Sequence, residues 1–435
     1  MGYTDTIQYL YALGRHGTKL GLHNTTELLA RFGNPQRRFR SVHIAGTNGK
    51  GSTAACLAAM LKQGGARVGL FTSPHLVSFT ERMTVDGVEI TEAEVVSLAR
   101  EVRGRSEGLA PTFFEVVTVM GFLHFARAGV DWAVVETGLG GRLDATNVLA
   151  PALTIITTLG MDHREFLGER PEDIAREKAG IIKPGVPVVT APHGTAEMAV
   201  IREAALSREA PLHVAGKDFQ AGIKARTTGG LAFEYRSDSR RVADVFLPLA
   251  GDYQALNASL AIRAFELLAP EKGELAGLIR AALASLRWPG RLQVVGEDPP
   301  VLIDGAHNPD AARALAEALR EGFLRAGERL TLLAGVMADK DIKGILGPLL
   351  PLASRVIFAA PAFGRSAEPR ALREAAASLG FASEAAPSVG EALQAARQGG
   401  DPVLVTGSFY TIGEAMETLG TRGTLSRLRE WHKPV

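Results

Sequence analysis

A short apolar run at residues 41–45 enters the loop Gly46-Thr47-Asn48-Gly49-Lys50-Gly51-Ser52 and leaves it through an alanine-rich stretch. This succession of strand, glycine loop and helix constrains the chain more than any other segment. Gly46, Gly49 and Gly51 let backbone N–H groups approach phosphate oxygens with no Cβ in the way. Lys50 adds a point charge, and the segment after Ser52 offers a helix N-terminus. The loop departs from the G-x-x-x-x-G-K-[ST] pattern because Gly51 separates Lys50 from Ser52, which sets it apart from ordinary GTPase and kinase loops. A plain glycine-rich turn is the alternative reading.

At 435 residues, 46% hydrophobic and 22% charged, the chain can bury a large core and should divide into two or three domains. A net charge of +1 gives no electrostatic reason to expect nucleic acid or an anionic membrane as partner. The single cysteine, Cys56, falls on the apolar face of the helix expected behind the loop, so it reads as core and no internal disulfide can form. No uninterrupted apolar run reaches membrane-spanning length, and the N-terminus lacks a basic segment followed by an apolar core. A cytoplasmic monomer is the expectation.

Apolar β-rich runs alternate with longer amphipathic stretches, which predicts parallel sheets with helices on both faces. Several runs end in chemistry. Residues 41–45 end at the glycine loop, 68–71 at Thr72-Ser73-Pro74-His75, 132–135 at Glu136 and 153–158 at Asp162-His163. Ligands of open α/β sheets bind at the carboxyl ends of the strands, so these motifs are expected along one edge. A second series follows the turn signal Trp288-Pro289-Gly290-Arg291. There, residues 301–303 lead into Asp304-Gly305-Ala306-His307-Asn308-Pro309, whose Asn and Pro suit a helix start. Residues 216–245 read as a β-rich insertion turning at Gly229-Gly230.

Together these motifs resemble the folylpolyglutamate synthase and dihydrofolate synthase family of the Mur ligase superfamily. The resemblance spans nearly the whole chain. Besides residues 43–52 it is carried by Phe71-Thr72-Ser73-Pro74-His75-Leu76, by residues 136–147, by Gly160-Met161-Asp162-His163 and by Glu177-Lys178-Ala179-Gly180-Ile181. It continues through Pro289-Gly290-Arg291 and residues 304–309. One departure is Tyr253 in Gly251-Asp252-Tyr253-Gln254-Ala255-Leu256-Asn257, where the family usually has histidine.

The resemblance implies a two-domain α/β, Mur-ligase-like architecture. A large N-terminal P-loop ATPase-like domain would span residues 1–290, and a smaller, Rossmann-like C-terminal α/β domain residues 291–435. It also implies ATP-dependent ligation of L-glutamate to a carboxylate of dihydropteroate or a folate through an acyl phosphate. The matching nucleotide contacts are residues 46–52, Asn257, Arg291 and Asp304. The matching Mg²⁺ ligands are Ser73, Glu136 and His163. Lys178 matches a lysine that reacts with CO₂, giving a carbamate able to hold a second Mg²⁺, and His307 matches a residue near the γ-phosphate or the reacting carboxylate. The same match makes Lys50, Lys178, His163 and His307 the catalytic group. Thr112, Leu143, Asp144 and Ala145 match contacts to the pterin or its linker, with Leu20-Gly21-Leu22 a weaker match.

Each assignment has a plainer counterpart. Glu136 also reads as a solvated strand end, Asp162-His163 as a turn or helix cap, and Ser73 as a turn residue before Pro74. Lys178 also reads as a surface lysine paired with Glu177, and His307 as a cap on the helix starting near Pro309. Phe113 and Phe114 suit either a pocket wall or the core, and adjacent helical positions cannot both face one pocket. The motifs do not separate a bifunctional enzyme from a folylpolyglutamate synthase alone. A cell-wall amino-acid ligase is disfavoured by Lys50-Gly51-Ser52 and Thr72-Ser73-Pro74-His75. A nucleotide-switch regulator is disfavoured by the missing Asn-Lys-x-Asp guanine signature.

Overall fold

In a computed structural model that describes residues 2–14, 21–269 and 275–420, the chain builds two separate large sheets. The first has β1 (Arg40–Ala45), β2 (Val68–Phe71), β3 (Met83–Val85), β4 (Val88–Glu89), β5 (Trp132–Glu136), β6 (Leu153–Ile156), β7 (Val188–Thr190) and β8 (Leu212–Val214). Their spatial order is β4-β3-β2-β5-β1-β6-β7-β8. All pairs are parallel except those of the β3 and β4 edge, which fold back antiparallel on β2. The parallel expectation therefore holds for the sheet centre and fails at its edge, where a short return needs no crossover helix.

Strand alternation sorts the side chains onto two faces. Val42, Ile44, Trp132 and Val134 join the core under the Lys50–Gln63 helix, whereas Ala133 and Val135 join the core under the Phe113–Ala128 helix. Cys56 is fully buried in the first of these cores, as expected. Phe113 and Phe114 both pack against the second. Phe113 stacks on Tyr11 at 5.3 Å and Phe114 meets Phe71 edge-on at 6.1 Å, so neither ring is a free pocket wall.

The expected β-rich insertion is a three-stranded antiparallel sheet of β9 (Phe219–Thr227), β10 (Gly230–Ser237) and β11 (Arg241–Leu247). It shares the core of the Lys50–Gln63 and Tyr253–Leu268 helices and so braces the back of the glycine loop. The second large sheet has β12 (Gln293–Glu297), β13 (Pro300–Ile303), β14 (Leu330–Ala334), β15 (Ala353–Phe358), β16 (Glu384–Ala385) and β17 (Val403–Thr406). Its order is β12-β13-β17-β14-β15-β16, parallel except for β12. Asn308 caps the Pro309–Gly322 helix after β13 by accepting the Ala311 N–H at 2.9 Å, with Pro309 at the first turn.

Close packing on the first sheet depends on two glycines. A Cβ at Gly69 would lie 2.7 Å from the Phe125 ring, and one at Gly121 would lie 2.7 Å from the fully buried Phe71 ring. Gly121→Ala gains about 1 kcal/mol of helix propensity but overpacks a core that has no room to yield, at a cost of about 1–3 kcal/mol. The expected outcome is a net loss of up to about 2 kcal/mol in urea unfolding; a raised midpoint would contradict this packing.

Candidate active site

Parallel register builds the site. Ile44 lies beside Glu136 in the β1–β5 pairing and Ala45 beside Ile156 in β1–β6, so the loops after all three strands emerge at one edge. The glycine loop is tied to the segment after β6. Thr47 N–H donates to the Thr158 carbonyl at 2.8 Å, Thr47 Oγ1 to the Gly160 carbonyl at 3.0 Å, and Thr157 Oγ1 to the Asn48 carbonyl at 2.8 Å. The glycines are required by close approach as well as by φ. A Cβ at Gly46 would meet Thr157 Oγ1 at 1.8 Å, and one at Gly49, which sits at φ +85°, would meet Asn257 Oδ1 at 2.2 Å. A plain turn needs neither contact.

Lys50 opens the helix and arches back. Its Nζ donates to the carbonyls of Gly46 at 3.0 Å and Thr47 at 3.1 Å and stands 3.8 Å from Glu136 Oε1. Glu136 is buried and accepts the Ser73 N–H at 3.2 Å, so it is not a solvated strand end. Burial pushes its carboxyl above the ordinary range, while Lys50 and the Ser73 N–H pull against that. Lys178, on the Pro171–Ala179 helix, is 4% exposed, and its Nζ donates to the Gly46 carbonyl at 2.8 Å. Glu177 pairs instead with Arg142, which overturns the surface-pair reading of Lys178. Burial, with the charge of Lys50 next, pushes the Lys178 amine down to about 7.

His163 occupies the left-handed region at φ +51° at the start of the short Arg164–Leu167 helix, and its side chain makes no capping bond. Burial pushes its imidazole down to about 4, with Asp162 opposing, so the ring is neutral and able to ligate a metal. Burial alone would raise the Asp162 carboxyl. His307, 3.6 Å away, and Lys340 Nζ, at 2.5 Å, overcome that and hold it well below the ordinary range.

The second sheet contributes the opposite wall. His307 Nδ1 lies 2.8 Å from the Gly305 carbonyl, which can only accept, so Nδ1 carries the proton there. Because Asn308 is the cap of the following helix, the capping alternative for His307 fails. The Asp304 carboxylate accepts the N–H groups of Leu292 at 2.9 Å and Ala306 at 2.8 Å, anchoring the turn that presents Arg291 and His307. Arg291 lies over the Phe409 ring at 4.7 Å. Lys50, Ser73, Glu136, His163, Lys178, Asn257, Arg291, Asp304 and His307 all line one cavity of about 420 Å³ with residues 46–52.

The expected pterin contacts do not line that cavity. Thr112 caps the Phe113–Ala128 helix by accepting the Glu115 N–H. The Asp144 carboxylate accepts the N–H groups of Gly138 and Leu139 at 2.9 and 2.8 Å, so residues 143–145 are hooked behind the wall that Gly138 and Leu139 form. The Leu143 carbonyl accepts the Gly21 N–H at 3.3 Å, and Ala145 begins a short 3₁₀ turn. Of Leu20-Gly21-Leu22, Leu20 lies outside the described residues. Sequence reasoning missed the Trp288 ring, 3.0 Å from where a Gly51 Cβ would sit, and Lys340, which donates to Asp162 Oδ1 at 2.5 Å. Trp288 stands in the turn signal ahead of the second series and Lys340 in the loop after β14, but only folding reveals which way they point.

Among the described residues no three His, Cys, Asp or Glu side chains gather into a metal cage. The available donors are the Glu136 carboxylate, the neutral His163 imidazole and the Ser73 hydroxyl. That set fits Mg²⁺, which keeps several waters and substrate phosphate oxygens and needs few protein ligands.

Two family profiles match the chain: the Mur ligase middle domain over residues 44–265 and the Mur ligase glutamate ligase domain over residues 290–409. The chain is 37% identical over 432 residues to the dihydrofolate synthase/folylpolyglutamate synthase of Bacillus subtilis, covering 96% of this chain and 99% of that one. It is 34% identical over 419 residues to the Escherichia coli protein of the same name, covering 96% and 95%. Among solved structures, the folylpolyglutamate synthase of Mycobacterium tuberculosis complexed with ADP and AMPPCP superposes with a TM-score of 0.89. That match is at 32% identity and covers 96% of this chain and 98% of that one.

Removing the Lys50 charge from a loop that is otherwise hydrogen-bonded to Thr157 and Thr158 and packed on Asn257 should leave the fold intact. Lys50→Ala is expected to lose at least about a hundredfold in ATP turnover, the scale of deleting one electrostatic stabiliser. Unchanged circular dichroism with most of the turnover retained would remove Lys50 from the phosphate site.

Proposed function

The chain belongs to the folylpolyglutamate synthase and dihydrofolate synthase branch of the Mur ligases, and from that premise we propose that it joins L-glutamate to dihydropteroate and to reduced folates with consumption of ATP. The observation that carries this reading is the convergence of Lys50, Glu136, His163 and Lys178 with Arg291 and His307 from the other domain on a single cavity. A carboxylate is a poor electrophile. One of its oxygens attacks the γ-phosphorus of ATP, ADP departs, and the resulting acyl phosphate has a leaving group. The uncharged amine of glutamate then attacks the carbonyl carbon, phosphate leaves, and the nitrogen gives up its proton.

This chain's residues serve those steps by binding and charge placement. The loop N–H groups and Lys50 hold the phosphates, Arg291 faces them from the second domain, and His307 approaches the γ-phosphate or the reacting carboxylate. Closure of residues 291–435 over residues 1–290 keeps water from the acyl phosphate. Glu136, His163 and Ser73 would hold Mg²⁺, which would supply charge neutralisation between the approaching anions. A second ion would be held by Lys178 as a carbamate, formed when its neutral amine adds to CO₂ and releases one proton. The burial of Lys178 with no carboxylate within ion-pair distance among the described residues supports that role. The pterin body would lie against the segments around Thr112 and residues 143–145 through backbone surfaces, since the Thr112 hydroxyl and Asp144 carboxylate are already engaged and the Phe113 and Phe114 rings pack against the core. We place the enzyme in the cytoplasm as a monomer; no described helix is long and apolar enough to cross a membrane.

Incubation with MgATP, L-glutamate and either dihydropteroate or tetrahydrofolate should yield, by mass, the substrate plus one or more glutamates, with ADP. Product from tetrahydrofolate alone would restrict the activity to polyglutamylation, and product from neither would overturn the reading. Lys178→Ala should be nearly inactive, and a short-chain carboxylic acid should restore some turnover where an alkylamine does not. Full activity of Lys178→Ala would end the carbamate role.

A further inference from the structure

The phosphate loop is held on one side by its own domain and on the other by a side chain from the second domain. Asn48 Nδ2 donates to Asn308 Oδ1 at 3.2 Å, and Asn308 Nδ2 donates back to Asn48 Oδ1 at 2.9 Å. Asn308 is 2% exposed and fully engaged. Its Oδ1 also accepts the Ala311 N–H that starts the Pro309–Gly322 helix, and its Nδ2 also reaches Asp162 Oδ2 at 3.4 Å. Asp162 is the second point of contact. Its Oδ1 accepts Lys340 Nζ at 2.5 Å and the His163 N–H at 2.9 Å, and both members of the Lys340–Asp162 pair are nearly buried. The domains are further pressed together at Gly160, where a Cβ would lie 2.1 Å from Asp310 Oδ2.

We propose that Asn308 and Lys340 are positioning residues that clasp Asn48 and Asp162, so that the phosphate loop and His163 adopt their working geometry only while the two domains are closed. The proposal rests on the ligase reading and goes beyond it by naming the groups that couple closure to phosphoryl transfer. The physical case is one of exchange. When the domains part, every group of the clasp is hydrated, so opening leaves no buried polar atom unpaired. When they meet, four side chains must be satisfied together, because a buried charge or amide left without its partner is costly. Asn48 shares its loop with Gly46, Gly49 and Lys50, and Asp162 directly precedes His163. The clasp therefore acts on both halves of the phosphate site without either Asn308 or Lys340 having to touch the reacting atoms.

Two variants separate this role from simple structural support. Asn308→Ser keeps a good helix cap but removes the amide that reaches Asn48. Lys340→Gln sits in a loop and removes the charge that faces Asp162 at 2.5 Å and Asp339 at 4.0 Å. Each is measured in the full chain for thermal unfolding, for kcat and KM for ATP, for phosphate released per glutamate ligated, and for radius of gyration by small-angle X-ray scattering with a non-hydrolysable ATP analogue and Mg²⁺. The expected result is near-wild-type unfolding and a KM changed by less than about threefold. With it should come a kcat lowered about tenfold or more, more than one phosphate per product as acyl phosphate leaks to water, and a larger radius of gyration than wild type under the same conditions. A phosphate-to-product ratio that stays at one, or an unchanged radius of gyration, in a folded variant overturns the clasp. If Asn308→Ser does not fold, Lys340→Gln alone decides. If the wild-type chain ligates nothing, the ligase reading has failed separately, and the scattering comparison still decides whether these residues hold the domains closed.

Discussion

Two lysines from different helices donate to one carbonyl, that of Gly46, and the site is organised around that convergence. Lys50 reaches it at 3.0 Å and Lys178 at 2.8 Å. Two ammonium groups cannot share a buried acceptor without repulsion, so one must lose its charge or gain an anion. Lys178 is the more buried and is the one whose amine is pushed down, while Lys50 keeps Glu136 nearby at 3.8 Å. The parallel alignment of β1 and β5 makes this possible, because it sets Ile44, one residue before the end of β1, beside Glu136 at the end of β5. The three-stranded sheet and the Tyr253–Leu268 helix then fix the loop from behind through Asn257.

Asp162 is the corresponding junction between domains. It is held ionised by groups from both sides of the cleft: the His163 backbone N–H from the first domain, and His307, Asn308 and Lys340 from the second. A carboxylate in that position makes domain contact an electrostatic event as well as a packing one. Apolar packing crosses the same boundary, since Leu76 and Val77 of the first domain share a core with Val301, Ile303 and Val405 of the second sheet.

Much of the site was legible in advance because strand-end chemistry is local. Glu136, Lys50 and Asp162-His163 each follow an apolar run directly, and a parallel sheet must bring such ends to one edge. Asn308 and Pro309 were readable as a helix start for the same reason, since capping is decided within four residues. The β3–β4 edge was not readable as antiparallel, because two- and three-residue strands carry too little alternation to show their partner.

The sequence by itself determined the class of the chain: a glycine loop with one lysine between a strand and a helix, two alternating α/β series, and a set of ordered motifs that fix the family. Tertiary structure alone decided the polar assignments that depend on distant neighbours. Asp144 and Thr112 turned out to spend their oxygens on backbone N–H groups close by, Asp304 on the turn that presents Arg291, and Lys178 proved buried against Gly46, 132 residues earlier in the chain. Composition and period report which face of an element is apolar. They cannot report which buried polar group finds its partner across a domain boundary, because that partner is supplied by the packing of the whole chain.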